Sequence, residues 1–272
     1  MIATYHNHSS WSDGRATFAE IYAFAERSGV EILGLSDHFC VLPNGTSPDW
    51  SLQPSEVAAY LADVESFRDK GAIEVRVGLE FDWFEHHDTI VRPYVERIAL
   101  DYRIGAVHHV EGRQFDVDIS YWRDRSQEAR DEIYVKYWAL IREMAESRLF
   151  DIAAHLDLPK KLGFYPTSDL SPHIDAALDA IHASDMVVEL NTAGFGKPCA
   201  DGYPSLQILQ KCGKRGIPVT LSSDGHIPEH VLFQFERGLT RLQEAGFSSI
   251  ARFRNRERFL EPLADAFKNK ML

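Results

Sequence analysis

The chain has 272 residues, 44% of them hydrophobic, which is enough to bury the core of one α/β barrel or one large α/β sheet. Its 41 acidic residues outnumber its 29 basic residues, for a formal net charge of −12, and Lys and Arg form no cluster that would bind a nucleic-acid backbone. The three cysteines lack Cys-x-x-Cys spacing and no apolar run approaches the roughly 18–20 residues that cross a bilayer, so we expect a soluble, cytoplasmic protein without nucleic-acid or membrane partners.

Short apolar or β-branched runs predict seven strands, at 2–5, 32–35, 73–79, 102–107, 150–154, 186–190 and 217–221. Apolar residues at helical spacing predict helices between them, over 17–28, 54–70, 127–148, 174–184, 204–214 and 228–245. The tail from about residue 249 is interpreted as an amphipathic closing helix. Strands that alternate with helices pair in parallel, so the pattern predicts an α/β barrel, in preference to a doubly wound sheet, with residues 1–272 as a single domain.

Polar side chains stand at or just after the C-terminal end of every predicted strand. In chain order they are His6, His8 and Asp13, then Asp37 and His38, Glu80, His108 and His109, His155, Asn191, and finally Asp224 and His226. In a parallel barrel these ends share one rim, where such barrels build their sites. Side chains of a strand alternate, so His6 and His8 are predicted to share a face, while His109 faces away from His108 and is interpreted as structural or supporting.

Imidazoles and carboxylates without thiolates are the ligands of catalytic divalent ions such as Zn, Mn or Fe. The strand-end residues suffice for two or three ions if a carboxylate bridges. Clustered cations let hydroxide persist near neutral pH and hold the oxygens of a substrate. The histidines in loops or helices are interpreted as ordinary structural or surface residues; these are His86, His87, His173, His182 and His230.

Seven segments between residues 4 and 226 carry a family resemblance: YHNHSSWSDG, GLSDHF, GLE, IGAVHHVEG, AHLDLPKK, ELNTAG and SSDGH. In this order they resemble the motifs of the PHP (polymerase and histidinol phosphatase) superfamily, and most of all those of its histidinol-phosphatase branch. The resemblance implies a distorted (β/α)7 barrel with a trinuclear metal centre that hydrolyses a small phosphate monoester, L-histidinol phosphate in that branch.

Carried over by position, the resemblance implies three metal sites. One is held by His6, His8, Glu80 and Asp224, a second by Glu80, His108 and His155 with Glu80 bridging, and a third by Asp13, His38 and His226. We predict in-line attack on phosphorus by a metal-bridging hydroxide. The leaving alkoxide is stabilised by a metal or protonated by a nearby acid, for which His38, Asp224 and His226 are the candidates.

Basic residues near the rim are predicted to contact the substrate, together with Asn191; they are Lys160, Lys161, Arg113 and Lys197. The histidinol-phosphatase branch usually has an arginine after the sixth strand, where this chain has Gly196 and Lys197, and Lys160 and Lys161 stand where a second arginine is common. Lysine supplies the charge but not the bidentate fork, so the exact substrate is left open.

Several alternatives stay open at this point. A PHP-type phosphoesterase could act on another small phosphate ester or on phosphotyrosine, whereas the acidic balance disfavours nucleotide 3′ ends. An amidohydrolase barrel shares the His-x-His motif and a late Asp, but it usually has eight strands. A non-enzymatic scaffold is expected to have lost ligands, and none is missing here. The oligomeric state is left open.

Overall fold

The computed structural model describes residues 2–68, 70–71 and 73–263. The α-helices of these ranges are α1 Phe18–Arg27, α2 Val57–Glu65, α3 Asp88–Arg97, α4 Ser120–Arg123, α5 Gln127–Glu146, α6 Ser171–Ala183, α7 Leu206–Lys214 and α8 Phe235–Glu244. The strands are β1 Ala3–Thr4, β2 Ile32–Leu35, β3 His38–Phe39, β4 Glu74–Val77, β5 Glu80–Asp82, β6 Ile104–Ala106, β7 His109–Val110, β8 Arg113–Gln114, β9 Ile152–Ala153, β10 Val187–Asn191, β11 Val219–Ser222, β12 Ser249–Arg254 and β13 Glu257–Pro262. Short 3-10 helices lie at Leu158–Leu162, Ala193–Gly196 and Pro228–His230.

The seven predicted strands are present and pair in parallel, which confirms the predicted α/β arrangement. β1 pairs with β2 and β2 with β4; the second and third strands then continue as β3 and β5, and the ladder runs on through β6, β9, β10 and β11. The regular ladders do not close the barrel. One parallel bridge, between Asn7 and Gly225, joins the first strand to the last, and the His8 N–H donates to the Gly225 carbonyl at 2.8 Å.

The helices follow from local signals where those signals are strong. α1 begins at a capping box in which Thr17 and Glu20 satisfy each other's backbone N–H groups, and its apolar positions are buried. α3 escapes prediction because it carries an internal Pro93 and buries only Val91 and Val95. The helix predicted over 228–245 is interrupted by Gln234, whose φ of +56° is left-handed, so α8 starts at the next residue. No helix within the described ranges is long and apolar enough to span a membrane.

The C-terminal segment is a β-hairpin, so the prediction of a closing helix from about residue 249 is wrong. β12 and β13 pair in antiparallel fashion through a two-residue turn at Asn255 and Arg256, whose φ values of +51° and +64° match a type I′ turn. Phe253 on β12 packs against Tyr5 and Tyr102, with ring centroids 5.7 and 6.4 Å apart. Tyr5 and Tyr102 belong to distant parts of the chain, so the hydrophobic pattern of residues 249–262 does not reveal these contacts. Residues 264–272 lie outside the described residues.

Apolar side chains fill the barrel interior on the side away from the polar strand ends. The interior cluster consists of Ala3, Tyr5, Ile32, Tyr102, Ile104, Ala106, Ile152, Ala154, Val187, Ala251 and Phe253. A larger apolar cluster packs the outer face of the strands against the helices. The hairpin therefore covers the N-terminal ends of the strands, and the C-terminal rim is left for polar residues.

The packing of Tyr102 leaves no room for a side chain at Gly78. The Tyr102 hydroxyl donates to the Tyr5 carbonyl at 2.5 Å, and a Cβ on Gly78 would lie 2.4 Å from the Tyr102 ring. We expect Gly78→Ala to lower the free energy of unfolding by about 1–3 kcal/mol, as overpacked cores do, measured by urea denaturation. Gly213→Ala on α7 is the matched control, because its Cβ meets its nearest atom at 3.6 Å and should gain up to about 1 kcal/mol of helix propensity. Equal stability of the Gly78→Ala variant and the native chain would contradict this packing.

Candidate metal centre

The nine residues predicted as metal ligands lie together at the C-terminal rim of the barrel. Three groups of their ligand atoms each fall within 4.8 Å of one another: His8, Asp13, His38 and His226; His6, Glu80 and His155; and His6, His8 and Asp224. A fourth group, His38, Asp82 and His108, includes a carboxylate that the sequence analysis did not single out. Because His6, His8 and His38 each belong to two groups, the groups form one continuous cluster.

Glu80 lies at the centre of this cluster. It is the first residue of β5, is 1% exposed, and directs its two carboxylate oxygens to different neighbours. Oε1 lies 2.8 Å from His155 Nε2 and 3.8 Å from His108 Nε2, whereas Oε2 lies 2.7 Å from His38 Nδ1 and 3.3 Å from His6 Nε2. A carboxylate whose oxygens face separate sets of imidazoles has the geometry of a bridging ligand.

Asp224 approaches the cluster from the last strand. Its φ of +54° is left-handed, a conformation that aspartate adopts more readily than most residues. Oδ1 lies 3.0 Å from His8 Nε2, 3.7 Å from His6 Nε2 and 3.6 Å from His226 Nδ1. The bridge formed by Gly225 next to it ties this turn to the first strand, so residues more than 200 positions apart meet.

Three histidines share one tautomer. His6 Nδ1 lies 2.8 Å from Glu189 Oε1, His108 Nδ1 lies 2.6 Å from Asp82 Oδ1, and His226 Nδ1 lies 2.9 Å from the Asp224 carbonyl oxygen. Each of these partners can only accept, so Nδ1 carries a proton and donates it, and Nε2 is the ring nitrogen that faces the cluster. Carboxylates or carbonyls behind imidazoles orient metal-ligating histidines in this way.

The supporting carboxylates Glu189 and Asp82 were missed by the sequence analysis. Glu189 lies on β10 and has no exposed surface. Its Oε2 also accepts a hydrogen bond from the backbone N–H of His155 at 3.0 Å. A signal existed for both. Glutamate inside an apolar strand is seldom buried without a partner, and Asp82 shares a strand face with Glu80 by alternation.

Burial and mutual contacts set the charges of the cluster. Burial lowers the pKa of His8 to about 3, and the neighbouring His38 and His226 act in the same direction, so this imidazole is neutral. Burial alone would raise the pKa of Glu80, but the surrounding histidines outweigh it and hold the pKa well below its ordinary value. The same balance lowers the pKa of Asp224. A neutral imidazole beside two ionised carboxylates is a donor set suited to a divalent cation.

Buried atoms without a hydrogen-bond partner concentrate in this cluster. They include His6 Nε2, both ring nitrogens of His8, His38 Nδ1, Glu80 Oε2 and Asp224 Oδ1. Some of them lie close to one another, as His38 Nδ1 and Glu80 Oε2 do at 2.7 Å, but they are not aligned for a hydrogen bond. Buried polar atoms are almost always satisfied in native proteins, so a group of unsatisfied lone pairs needs an explanation. Divalent cations bound among them satisfy these atoms, and the residues present therefore fit a metal centre.

A cavity of about 420 Å³ opens beside the cluster, and Asp13, Asp224 and His226 form part of its wall. Two of the predicted substrate contacts, Lys161 and Lys197, line it. Lys161 Nζ lies 2.7 Å from Asp116 Oδ2. The cavity therefore joins the candidate ligands to positive charge.

The other predicted substrate contacts do not line this cavity. Lys160 is 3% exposed and its Nζ is held between Asp157 at 2.9 Å and Asp201 at 2.8 Å. Arg113 is exposed on β8, with its guanidinium carbon 5.6 Å from the ring centroid of Tyr121. Asn191 is fully buried and donates through Nδ2 to Glu189 Oε2 at 3.1 Å. It therefore holds the carboxylate that lies behind His6 in place.

Arg15 lines the cavity and was not singled out from the sequence. Its backbone N–H donates to the His226 carbonyl at 2.9 Å, which fixes the residue beside the cluster. Its side chain is exposed, and within the described ranges its guanidinium makes no ion pair or hydrogen bond. The signal was its position two residues after Asp13, in the loop that follows the first strand.

The supporting role expected for His109 fits its surroundings. It lies on β7, its Nδ1 is 3.9 Å from Asp82 Oδ1, and its ring packs 4.9 Å from the ring of Phe84. It belongs to none of the four ligand groups.

Comparison with known proteins decides the family. The model of the PHP domain family matches residues 4–193, which contain seven of the nine clustered residues. The chain is a member of the PHP family. Asp224 and His226 lie beyond the matched stretch, and the bridge between the first and last strands brings them to the PHP motifs.

Relatives within the PHP family cover most of the chain. A Deinococcus radiodurans protein named "Probable histidinol-phosphatase" is 30% identical over 233 residues, 85% of this chain and 87% of its own length. The histidinol-phosphatase of Lactococcus lactis is 22% identical over 257 residues, 92% of this chain and 93% of its own. The crystal structure of the Lactococcus lactis histidinol phosphate phosphatase, complexed with Zn, L-histidinol and phosphate, has a TM-score of 0.77 at 21% identity, covering 95% of this chain and 98% of that one. This structural likeness shows the fold.

Proposed function

We propose that this PHP chain is a metal-dependent histidinol-phosphatase, which converts L-histidinol phosphate and water to L-histidinol and phosphate. One observation carries the proposal: buried imidazoles and carboxylates with unsatisfied ligand atoms surround Glu80 beside a cavity lined by basic side chains. The names of the relatives support the substrate. Residues 1–272 act in this proposal as one metallohydrolase domain on a small-molecule phosphate ester.

The proposed metal sites use the nine clustered residues and hold two or three Zn, Mn or Fe ions. His6, His8, Glu80 and Asp224 hold the first ion, Glu80, His108 and His155 the second, and Asp13, His38 and His226 the third. His108 Nε2 and His155 Nε2 lie 3.2 Å apart, which supports their sharing an ion with Glu80. When bound, such ions polarise the phosphate and lower the pKa of water towards neutrality.

The side chains of the cavity bind and orient the phosphate in this proposal. Lys161, Lys197 and Arg15 supply positive charge where the whole chain carries a formal charge of −12. A guanidinium can contact two phosphate oxygens at once, so Arg15 supplies the fork that neither lysine has. We assign Arg15 the place of the arginine that the loop after the sixth strand lacks.

Of the three residues predicted as proton donors, His226 is best placed. Asp224 is ionised because its pKa is held well below the ordinary value, so it has no proton to donate. The His38 side chain is 11% exposed, whereas that of His226 is 34% exposed and lines the cavity. At His226 Nε2 the roles of ligand and donor exclude each other. Elemental analysis distinguishes the two roles. Three ions per chain would mean that His226 is a metal ligand, and two ions would mean that it is free to protonate the alkoxide.

The test is phosphate release by purified protein loaded with Mn or Zn. L-histidinol phosphate, a generic aryl phosphate and a phosphotyrosine peptide are compared side by side, with His8→Ala as the metal-site control. A strong preference for L-histidinol phosphate that is lost in His8→Ala supports the proposal. If only the aryl phosphate is hydrolysed, the chain is a PHP phosphoesterase whose natural substrate is another phosphate ester. If the fully metal-loaded protein hydrolyses none of the three, the proposed phosphatase activity is wrong.

Arg15→Ala is expected to raise KM for the phosphate ester about 10-fold and to change kcat by less than about 2-fold, since one charge-assisted hydrogen bond to a bound phosphate contributes about 1.5 kcal/mol. Steady-state kinetics measure both constants. Arg27→Ala, an exposed arginine in the last turn of α1, is the control and should leave both unchanged. An unaltered KM in Arg15→Ala would remove this residue from the phosphate site.

Glu189→Gln and Asp82→Asn are each expected to weaken metal binding about 10- to 100-fold, as removal of a carboxylate behind a ligating histidine does. Both changes keep the side-chain shape and remove the negative charge behind His6 or His108. Activity measured against free metal concentration reports the affinity. Unchanged metal dependence in both variants would mean that these carboxylates serve the fold alone.

A further inference from the structure

A second cavity lies at the other end of the barrel, away from the metal centre. It has a volume of about 680 Å³, within the size range of small-molecule sites. Its wall comes from the C-terminal part of α2 with Arg68, the end of α3, the segment before β6, the end of β4 and the turn of the hairpin. The interior apolar cluster, with Tyr102, separates it from the polar rim. None of the residues assigned to hydrolysis lines it.

Four arginines line this cavity, and two of them have no partner among the residues that the structure describes. Its carboxylates are already engaged: Asp101 and Glu65 with Arg68, at 2.7 and 2.5 Å, and Glu96 with Arg92 at 3.1 Å. Arg256 pairs with Asp151 at 2.7 Å. The remaining two, Arg97 and Arg103, make no side-chain hydrogen bond or ion pair with the described residues. The cavity wall therefore holds two guanidinium groups that contact no carboxylate among the described residues.

Arg103 is the more telling of the two, because it is only 8% exposed and its Nε is buried without a hydrogen-bond partner. Burial lowers the pKa of Arg103 and the nearby Arg256 lowers it further, whereas the charges of Asp151 and Glu96 act in the opposite direction. A buried guanidinium nitrogen that donates no hydrogen bond is costly, and most buried polar atoms in native proteins have a partner. An oxyanion in the cavity would accept this hydrogen bond.

We propose that this cavity binds a small oxyanion, the phosphate or carboxylate group of a small molecule, through Arg103 and Arg97. The planar guanidinium matches both groups through paired hydrogen bonds. A ligand there touches the strand that continues from Val77 to Glu80, and the segment from Arg103 that leads through β6 to His108. Both of these strands lead to the residues of the candidate metal centre. The inference does not depend on the reaction proposed above.

The experiment uses the metal-loaded full chain and two probes, inorganic phosphate and acetate. Crystals soaked in phosphate are expected to show the anion between Arg97 and Arg103, and calorimetry is expected to show a phosphate site besides the one at the metal centre. Arg103→Met should weaken this second site at least 10-fold. Arg97→Ala, at an exposed position that cannot compromise the fold, should weaken it too. Arg142→Ala, an exposed arginine on α5, is the matched control.

Two readouts separate this site from the metal centre. Competitive inhibition of hydrolysis by phosphate reports the metal centre and should stay within twofold of the native value in Arg103→Met and Arg97→Ala. If the chain hydrolyses no phosphate ester, the crystallographic and calorimetric arms still decide the inference. Binding of either probe in the cavity with loss in both variants supports it. Absence of both anions from the cavity, or native affinity in both variants, overturns it.

Discussion

Glu80→Gln is expected to lower kcat/KM for the phosphate ester by about 10³-fold or more, because one substitution removes the charge that two of the proposed metal sites share. The carboxylate contacts imidazoles from four strands through its two oxygens, at distances from 2.7 to 3.8 Å. A neutral amide offers one oxygen in place of two and carries no charge. We therefore expect the variant to lose at least one bound ion per chain as well as its activity.

Elemental analysis and steady-state kinetics on the same preparation test this expectation. Glu257→Gln is the control, because that glutamate is exposed at the start of β13 on the hairpin and should leave both quantities unchanged. Far-ultraviolet circular dichroism separates lost chemistry from lost folding. Retention of full metal content with native activity in Glu80→Gln would remove the bridging role.

Asp224→Asn is expected to lower kcat/KM about 10²- to 10³-fold, the range seen when one group that stabilises charge is lost. Asparagine tolerates the left-handed φ of +54° at this position, so the backbone turn should survive. What changes is the charge of an oxygen that lies 3.0 Å from His8 Nε2 and 3.7 Å from His6 Nε2. The variant thus tests the charge at this position, with the backbone geometry held constant.

Asp185→Asn is the matched control for this variant. Asp185 has nearly the same backbone conformation, with φ of +57°, but its side chain is 81% exposed and pairs with Arg258 far from the cluster. Kinetics and the midpoint of thermal unfolding are measured for both variants. Native kinetics in Asp224→Asn would show that the acidic charge is dispensable. A loss in both variants would point to the backbone turn instead.

The positions of the strands and the order of the candidate ligands could be predicted from the sequence. Each strand is a short apolar run, and parallel β/α units bring the C-terminal ends of their strands to one rim. His6 and Asp224 were therefore expected to lie close together although more than 200 residues separate them in the chain. Each candidate ligand directly follows its own apolar run in the sequence. His8, Glu80 and His155 could therefore be named before any contact was known.

Which basic residues face the cavity depends on pairings between distant segments. Lys160 and Lys161 are adjacent, yet Lys160 pairs with Asp201, 41 residues away, while Lys161 lines the cavity. Arg15 enters the cavity because its backbone is bonded to His226. No periodicity within either segment distinguishes these outcomes.

The sequence by itself determined the α/β class, the seven parallel strands and the set of imidazoles and carboxylates at their ends, because those properties follow from local hydrophobicity and from the geometry of βα units. The tertiary structure alone decided that the tail forms a hairpin, since Phe253 packs against Tyr5 and Tyr102 inside the barrel. It also decided that Glu189 and Asp82 stand behind the candidate ligands His6 and His108, and that Arg103 Nε is buried without a hydrogen-bond partner in the described part of the chain. These features depend on burial and on pairing between segments far apart in the chain. The free energies of those interactions arise only once the barrel has formed.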